Sequence, residues 1–200
     1  METIEYKTVD KSNWERGEWD NEPDKKQWLD EATGLPCLIV RAPVTGSLCG
    51  YVGIAPEHPL FAIGYDKSKP RLNKFWRKIK NKSVGKRGIF TLLMANDRKP
   101  TPDMLLDAHG GITFSDFCHP AKDESHGICH VAPGQDKIWW FGFDCSHAGD
   151  VSPAMDACIK GLGIPEMPSL SLEGYDTYRN MDYVTAEVAS LAKQLKALAA

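Results

Sequence analysis

Along the end of the chain Met181, Val184, Val188, Leu191, Leu195 and Leu198 recur at intervals of three and four, so one apolar stripe runs the length of an amphipathic α-helix over 176–200. Such a stripe packs on its own domain or, alternatively, forms a homodimer seam through 181–198, although under three heptads is short for a coiled pair. Other stretches carry the period of strands. "IEYKTV" predicts a first strand, and "LPCLIVRAP" and "LCGYVGIA" around "VTGS" predict a hairpin. "ITFSDF" and "KIWWFGF" also alternate.

Three further segments carry helix start and stop signals. "NEPDKKQWLDEATG" has Asn21 to cap, Pro23 in the first turn and Gly34 to stop. "TPDMLLDAHGG" and "SPAMDACIKGLG" repeat that grammar as short helices. Strands interleaved irregularly with short helices predict an α+β fold, a single domain over 1–200 with a mainly antiparallel sheet.

Length and composition fit this picture. Two hundred residues, 42% hydrophobic and 26% charged, suffice for one proper core. No run of eighteen apolar residues is present, which argues against a membrane protein. The polar start lacks the apolar centre of a signal peptide, so a cytoplasmic protein with its six cysteines reduced is expected. No C-x-x-C pair occurs.

Charge is uneven. Lys67 to Arg87 holds ten basic residues and no acid, leaving fourteen basic against twenty-seven acidic residues elsewhere. An acidic body with one basic segment argues against a general nucleic-acid binder and for a local anion-seeking arm. In "RLNKFWRKIK", Leu72, Phe75, Trp76 and Ile79 share one helical face. Arg77 and Lys78 lie off that face, where the segment 67–100 would serve as an insertion or lid that concentrates phosphate.

The chemistry gathers in "WWFGFDCSHAGD". Alternation sends Trp139, Phe141, Phe143 and Cys145 to a core face, and Ile138, Trp140, Gly142 and Asp144 to the other. Either Gly142 opens a slot in which Trp140 stacks a planar ligand, or it accommodates a bulky neighbour. Asp144, His147 and Asp150 follow at intervals of three, a set able to bind a divalent metal or to act as acid and base. Asp150 precedes the Ser152-Pro153 helix start, whose N–H groups attract anions.

"HGGITFS" supplies a second wall. His109 falls at the end of its predicted helix, and Gly110 and Gly111 allow a close backbone approach to a ligand. Between the walls "CHPAKDESHGICH" adds His119, His126 and His130. Cys118, Cys129, Cys145 and a histidine could close a zinc tetrahedron, though at no standard finger spacing. His109, Asp144, His147 and Asp150 form the alternative catalytic metal set. No P-loop, G-x-G-x-x-G, G-x-S-x-G or H-E-x-x-H motif occurs.

With "EPDKKQWLDEATGLPCLIVR", "LCGYVG", "HGGITFS", "ICHV", "WWFGFDCSHAGD" and "YRNMDYVTAEVASLAKQL" on the page, the chain resembles a family of small uncharacterised proteins of phage and prophage genomes. The resemblance covers most of the chain apart from roughly Lys67 to Pro100, and it implies an accessory protein acting in bacterial cytoplasm. Three functions are then open. The first is a binder of a phosphate-bearing, nucleotide-like ligand, held by Trp140, Gly110, Gly111, His130, Arg77 and Lys78, which sequesters or inactivates an immune signal. The second is a hydrolase, metal-dependent with zinc or another divalent ion, that cuts a phosphoester or N-glycosidic bond using His109, Asp144, His147 and Asp150. The third is a protein-binding inhibitor with a structural His/Asp cluster.

Overall fold

A computed structural model describes residues 2–80, 99–120, 125–128, 137–163 and 176–199, with the side chains of 77–80 and 119–120 excluded. Six strands form an antiparallel sheet in the order β1 (Ile4–Tyr6), β2 (Lys25–Leu29), β3 (Pro36–Arg41), β4 (Leu48–Ile54), β8 (Trp139–Asp144) and β5 (Phe114–Phe117). A separate pair joins β6 (His119–Pro120) to β7 (Gly127–Ile128). The helices are α1 (Asn73–Lys80), α2 (Pro102–Leu105), α3 (Pro153–Gly161) and α4 (Met181–Ala199). The fold is α+β, as the interleaved periods predict.

Alternation along the central strands sorts two apolar layers. Ile39, Val52, Phe141 and Phe143 face α4, whose Val184, Val188, Leu191 and Leu195 are fully buried against them. Each such side chain contributes about 1.5–3 kcal/mol of burial before entropy is subtracted. The stripe from Met181 to Leu195 is therefore spent on its own sheet. On the opposite face Leu38, Tyr51, Ile138 and Trp140 make a smaller cluster.

The helix expected over 21–34 is instead strand β2 and its turns. Lys25 and Gln27 are buried at 1% and 2% exposure while Lys26 and Trp28 take the other face. Ladder pairing with both β1 and β3 outweighs the local helix signals. Gly34, expected as a helix stop, supplies a positive φ of 73° in the turn into β3.

The cysteines correct a second expectation. Cys37, Cys49, Cys145 and Cys158 are free, but Cys118 is disulfide-bonded. Cys118 directly precedes β6, whose antiparallel pairing with β7 turns the chain back past it. A bridge therefore needs no C-x-x-C pair. A disulfide-bonded Cys118 cannot serve as a thiolate ligand of the expected zinc tetrahedron, and Cys129 lies outside the described residues.

The basic arm begins as predicted, with Leu72 and Phe75 in the core and Trp76 packed beside them. The side chains of Arg77, Lys78 and Ile79, all of His130, and residues 81–98 of the expected lid lie outside the described residues. Among the described residues no helix is long and apolar enough to cross a membrane.

Candidate functional site

Three segments converge beyond the end of β8. Asp144 ends the strand, and its carboxylate is held from two sides. Thr113 Oγ1 donates to Oδ2 at 3.0 Å, while the Ser146 hydroxyl and N–H donate to Oδ1 at 2.6 and 3.1 Å. Burial would raise this carboxyl, but the Ser146 and Thr113 hydrogen bonds and the nearby His147 outweigh it and hold it below its ordinary range.

The chain then runs through a turn from His147 to Asp150. The carbonyl of His147 accepts the N–H of Asp150 at 2.9 Å. At Asp150 the backbone forms a parallel bridge with Thr177, with Val151 N–H donating to Thr177 O and Thr177 N–H to Gly149 O. That bridge brings the approach to α4 alongside the site. Arg179 Nε can then donate to Asp150 Oδ1 at 2.8 Å.

The second oxygen of Asp150 takes two more donors. His109 Nε2–H reaches Oδ2 at 2.7 Å, and the His147 N–H does so at 3.1 Å. Burial raises the Asp150 carboxyl, and the His109 and Arg179 hydrogen bonds bring it down past its usual value. On the far side of the imidazole, His109 Nδ1 shares a 2.9 Å hydrogen bond with the Tyr183 hydroxyl. Arg179 also lies 5.0 Å over the Tyr183 ring.

His147 completes the group. Its ring meets His109 edge to face at 5.5 Å between centroids. Among the described residues its Nδ1 is buried without a hydrogen-bond partner, 3.7 Å from Asp150 Oδ2 and 3.8 Å from Asp144 Oδ1. Gly110, at φ 64°, lets this ring in: a Cβ there would lie 2.1 Å from His147 Cε1. The close approach expected at Gly110 is thus to an imidazole of the same chain. Gly111 also has positive φ, 96°, with open space beside it.

His109, 35 to 41 residues before the others in sequence, is therefore a neighbour in space of Asp144, His147 and Asp150. Other sequence expectations do not meet here. Trp140 is fully buried, and the slot beside Gly142 is filled by Tyr51, whose ring would be 2.3 Å from a Cβ at Gly142. Trp140 therefore has no open face on which to stack a ligand. His109 lies in the turn beyond α2, which ends at Leu105, so no helix terminus acts on it. The N–H groups of Ala154 and Met155 at the start of α3 both donate to Thr45 O, at 3.0 and 3.4 Å, so the expected anion-attracting terminus is already occupied.

Arg179 and Tyr183 were not singled out by sequence. Their spacing of four, an arginine and a tyrosine on one side of a helix start, is a signal only once the opposing carboxylate is known. Comparison with family models, with curated proteins and with solved structures finds no match.

Proposed function

We propose that the His109–His147–Asp150 cluster holds a divalent metal, zinc or a similar ion, and that the protein is a metal-dependent hydrolase of a small nucleotide-like ligand. The observation that carries this reading is Nδ1 of His147, buried without a hydrogen bond among the described residues and set 3.7 and 3.8 Å from two carboxylates. A buried imidazole nitrogen without a partner is costly, and a ligand position is a reason to retain one.

One donor atom each from His109, His147 and Asp150 lies within 4.8 Å of the others. Zinc bonds of about 2.0–2.2 Å in a tetrahedral set leave ligand atoms roughly 3.3–3.5 Å apart. The 3.7 Å from His147 to Asp150 is close to that spacing, and the 2.7 Å His109–Asp150 contact needs only to open as the shared proton leaves. Two imidazoles and one carboxylate with a fourth position open is the donor set of catalytic zinc, which supplies an acidified water.

The chain's own groups have assignable tasks. Tyr183 takes the outer nitrogen of His109 and orients that ring, and Arg179 holds the outer oxygen of Asp150. Asp144, kept ionised and about a third exposed, is the base that accepts the water's proton. The bond broken is a phosphoester or an N-glycosidic bond. In the phage setting that the family resemblance implies, such an enzyme would inactivate a host nucleotide signal.

Cobalt(II) titration tests the centre. One equivalent should bind with the intense visible absorption of a low-coordinate site, and His147→Ala should lose it. No stoichiometric binding, or an unchanged spectrum in His147→Ala, overturns the reading.

A further inference from the structure

A cavity of about 480 Å³ opens from the cluster, with His147 and Asp150 among its lining residues. That is within the range of about 300–1,000 Å³ usual for small-molecule sites. Along its rim Glu15 is paired with Lys160, and Asp156 and Asp176 have partners of their own, so the rim does not decide the charge of a ligand. That decision falls to the end at Asp150, where Arg179 arrives.

Arg179 is only partly engaged there. Its Nε–H donates to Asp150 Oδ1 at 2.8 Å, and its guanidinium lies 5.0 Å over the Tyr183 ring. Among the described residues its two terminal nitrogens make no hydrogen bond, and the side chain is 28% exposed. Donors left over in one plane, with the fork fixed by a carboxylate at Nε, match the oxygens of a phosphate group.

The charge of a metal-loaded centre favours the same ligand. Asp144 and Asp150 bring two negative charges, Arg179 one positive and a divalent ion two, while imidazoles that ligate a metal are neutral. One positive charge remains. Without the ion the same groups are negative by one, so only the loaded centre attracts an anion.

Another wall of the cavity is aromatic. Trp19 Nε1–H donates to Glu15 O at 2.9 Å, and a Cβ at Gly17 would lie 2.5 Å from the indole, so the ring rests on that backbone. The segment that carries Arg179 also holds this wall. Tyr178 packs edge to face with Trp19 at 5.0 Å between centroids, and Asn180 Nδ2 donates to Glu18 Oε2 at 2.7 Å. Ala157 and Ile159 of α3 add apolar lining. A fixed indole beside apolar lining suits a planar ring.

We infer that this cavity takes a phosphate ester of a nucleoside, its phosphate gripped between the ion and Arg179 and its base stacked on Trp19. The inference rests on the hydrolase reading above and selects between its two bonds, because the group brought to the ion is the phosphate and the bond cut is the phosphoester. The oxygen of water joins phosphorus, and the bond from phosphorus to the ester oxygen breaks with its electron pair on that oxygen. The proton that water gave to Asp144 passes to the same oxygen, leaving an alcohol and a phosphate that carries the water oxygen.

Calorimetric titration of the cobalt-loaded protein tests this with three probes: adenosine, inorganic phosphate and the methylene phosphonate analogue of adenosine 5′-monophosphate, whose P–C bond resists hydrolysis. The phosphonate should bind about tenfold or more tighter than adenosine, and metal-free protein should show no such preference. Arg179→Lys keeps a cation on Asp150 but loses the planar donors. It should retain the cobalt spectrum and adenosine affinity while weakening the phosphonate about tenfold. Trp19→Ala should weaken the phosphonate and adenosine alike, about tenfold, and leave inorganic phosphate binding as in wild type. Adenosine held as tightly as the phosphonate by protein with the cobalt spectrum intact overturns the inference and leaves the metal centre standing. Wild-type phosphonate affinity in either variant does the same. If Arg179→Lys loses the cobalt spectrum, the preference of the wild-type protein decides. Absence of that spectrum in wild type removes the hydrolase reading and this inference together.

Discussion

Two charged clusters in this molecule are joined by adjacent residues, Tyr178 and Arg179, and they differ in one respect. Around Arg41, whose side chain is fully buried, every group is matched. Its guanidinium donates to Asp24, Gly46 O, Tyr178 and Glu22, while Asp24 also takes Lys11 and the N–H groups of Thr8 and Val9. The second cluster, around Asp150, also has donors on both carboxylate oxygens but, among the described residues, leaves Nδ1 of His147 without a hydrogen bond. Tyr178 belongs to the first and its neighbour Arg179 to the second, so one short segment braces both. A saturated cluster has no valence left for a ligand and serves the fold. A cluster with one buried nitrogen open is where chemistry can enter.

The comparison predicts opposite responses to truncation. The largest effect is expected at the saturated cluster: Asp24→Ala leaves Arg41 and Lys11 without their carboxylate and should cost about 3–5 kcal/mol in urea denaturation. A loss under about 1 kcal/mol would mean that water replaces the carboxylate and that the cluster is not closed.

Next in size is Gly110→Ala, which must hold φ at 64° and displace the His147 ring. Roughly 1–3 kcal/mol of strain is expected, together with a disturbed cobalt spectrum. Gly111→Ala, with open space beside it, should show a smaller stability loss and an unaltered spectrum. Equal effects at the two glycines would remove the ring contact from the account.

Acid titration gives a third separation. Burial acts to raise the Asp24 carboxyl, but Lys11, the Val9 and Thr8 N–H groups and Arg41 together hold it below its ordinary 3.8. A carboxyl depressed in the folded state contributes stability that is present above the unfolded value and disappears as pH falls through the folded one. Wild-type stability should therefore decline below about pH 4 more steeply than that of Asp24→Asn, by at most about 1.4 kcal/mol per pH unit for the one proton. Parallel slopes between pH 5 and 3 would contradict the depressed carboxyl.

The smallest stability effect is expected at the open cluster. His147→Ala removes a partnerless buried nitrogen and should shift unfolding by no more than about 1 kcal/mol, in either direction. Metal binding should nonetheless be lost. A collapse of the fold in this variant would place His147 with Arg41 among the structural groups and end the contrast.

Much of the scaffold was readable from periodicity, because burial of one face imposes a repeat that survives in one dimension. The 3-4 stripe of Met181 to Leu195 is the buried face of α4, the "VTGS" hairpin is β3–β4, and the two faces of β8 divide as alternation requires. The failure at β2 has the converse cause. Lys25 and Gln27 are polar residues buried by pairing partners from elsewhere in the chain, so no local pattern announces a strand.

For the site, the grouping of Asp144, His147 and Asp150 was legible from their spacing of three, and His109 from its place in the second predicted wall. What they touch was decided by tertiary structure alone. Tyr51 fills the space beside Gly142, Thr45 occupies the start of α3, and Arg179 and Tyr183 arrive from the far end of the chain. Each of these depends on contacts between residues distant in sequence, where spacing along the chain holds no information about distance in space.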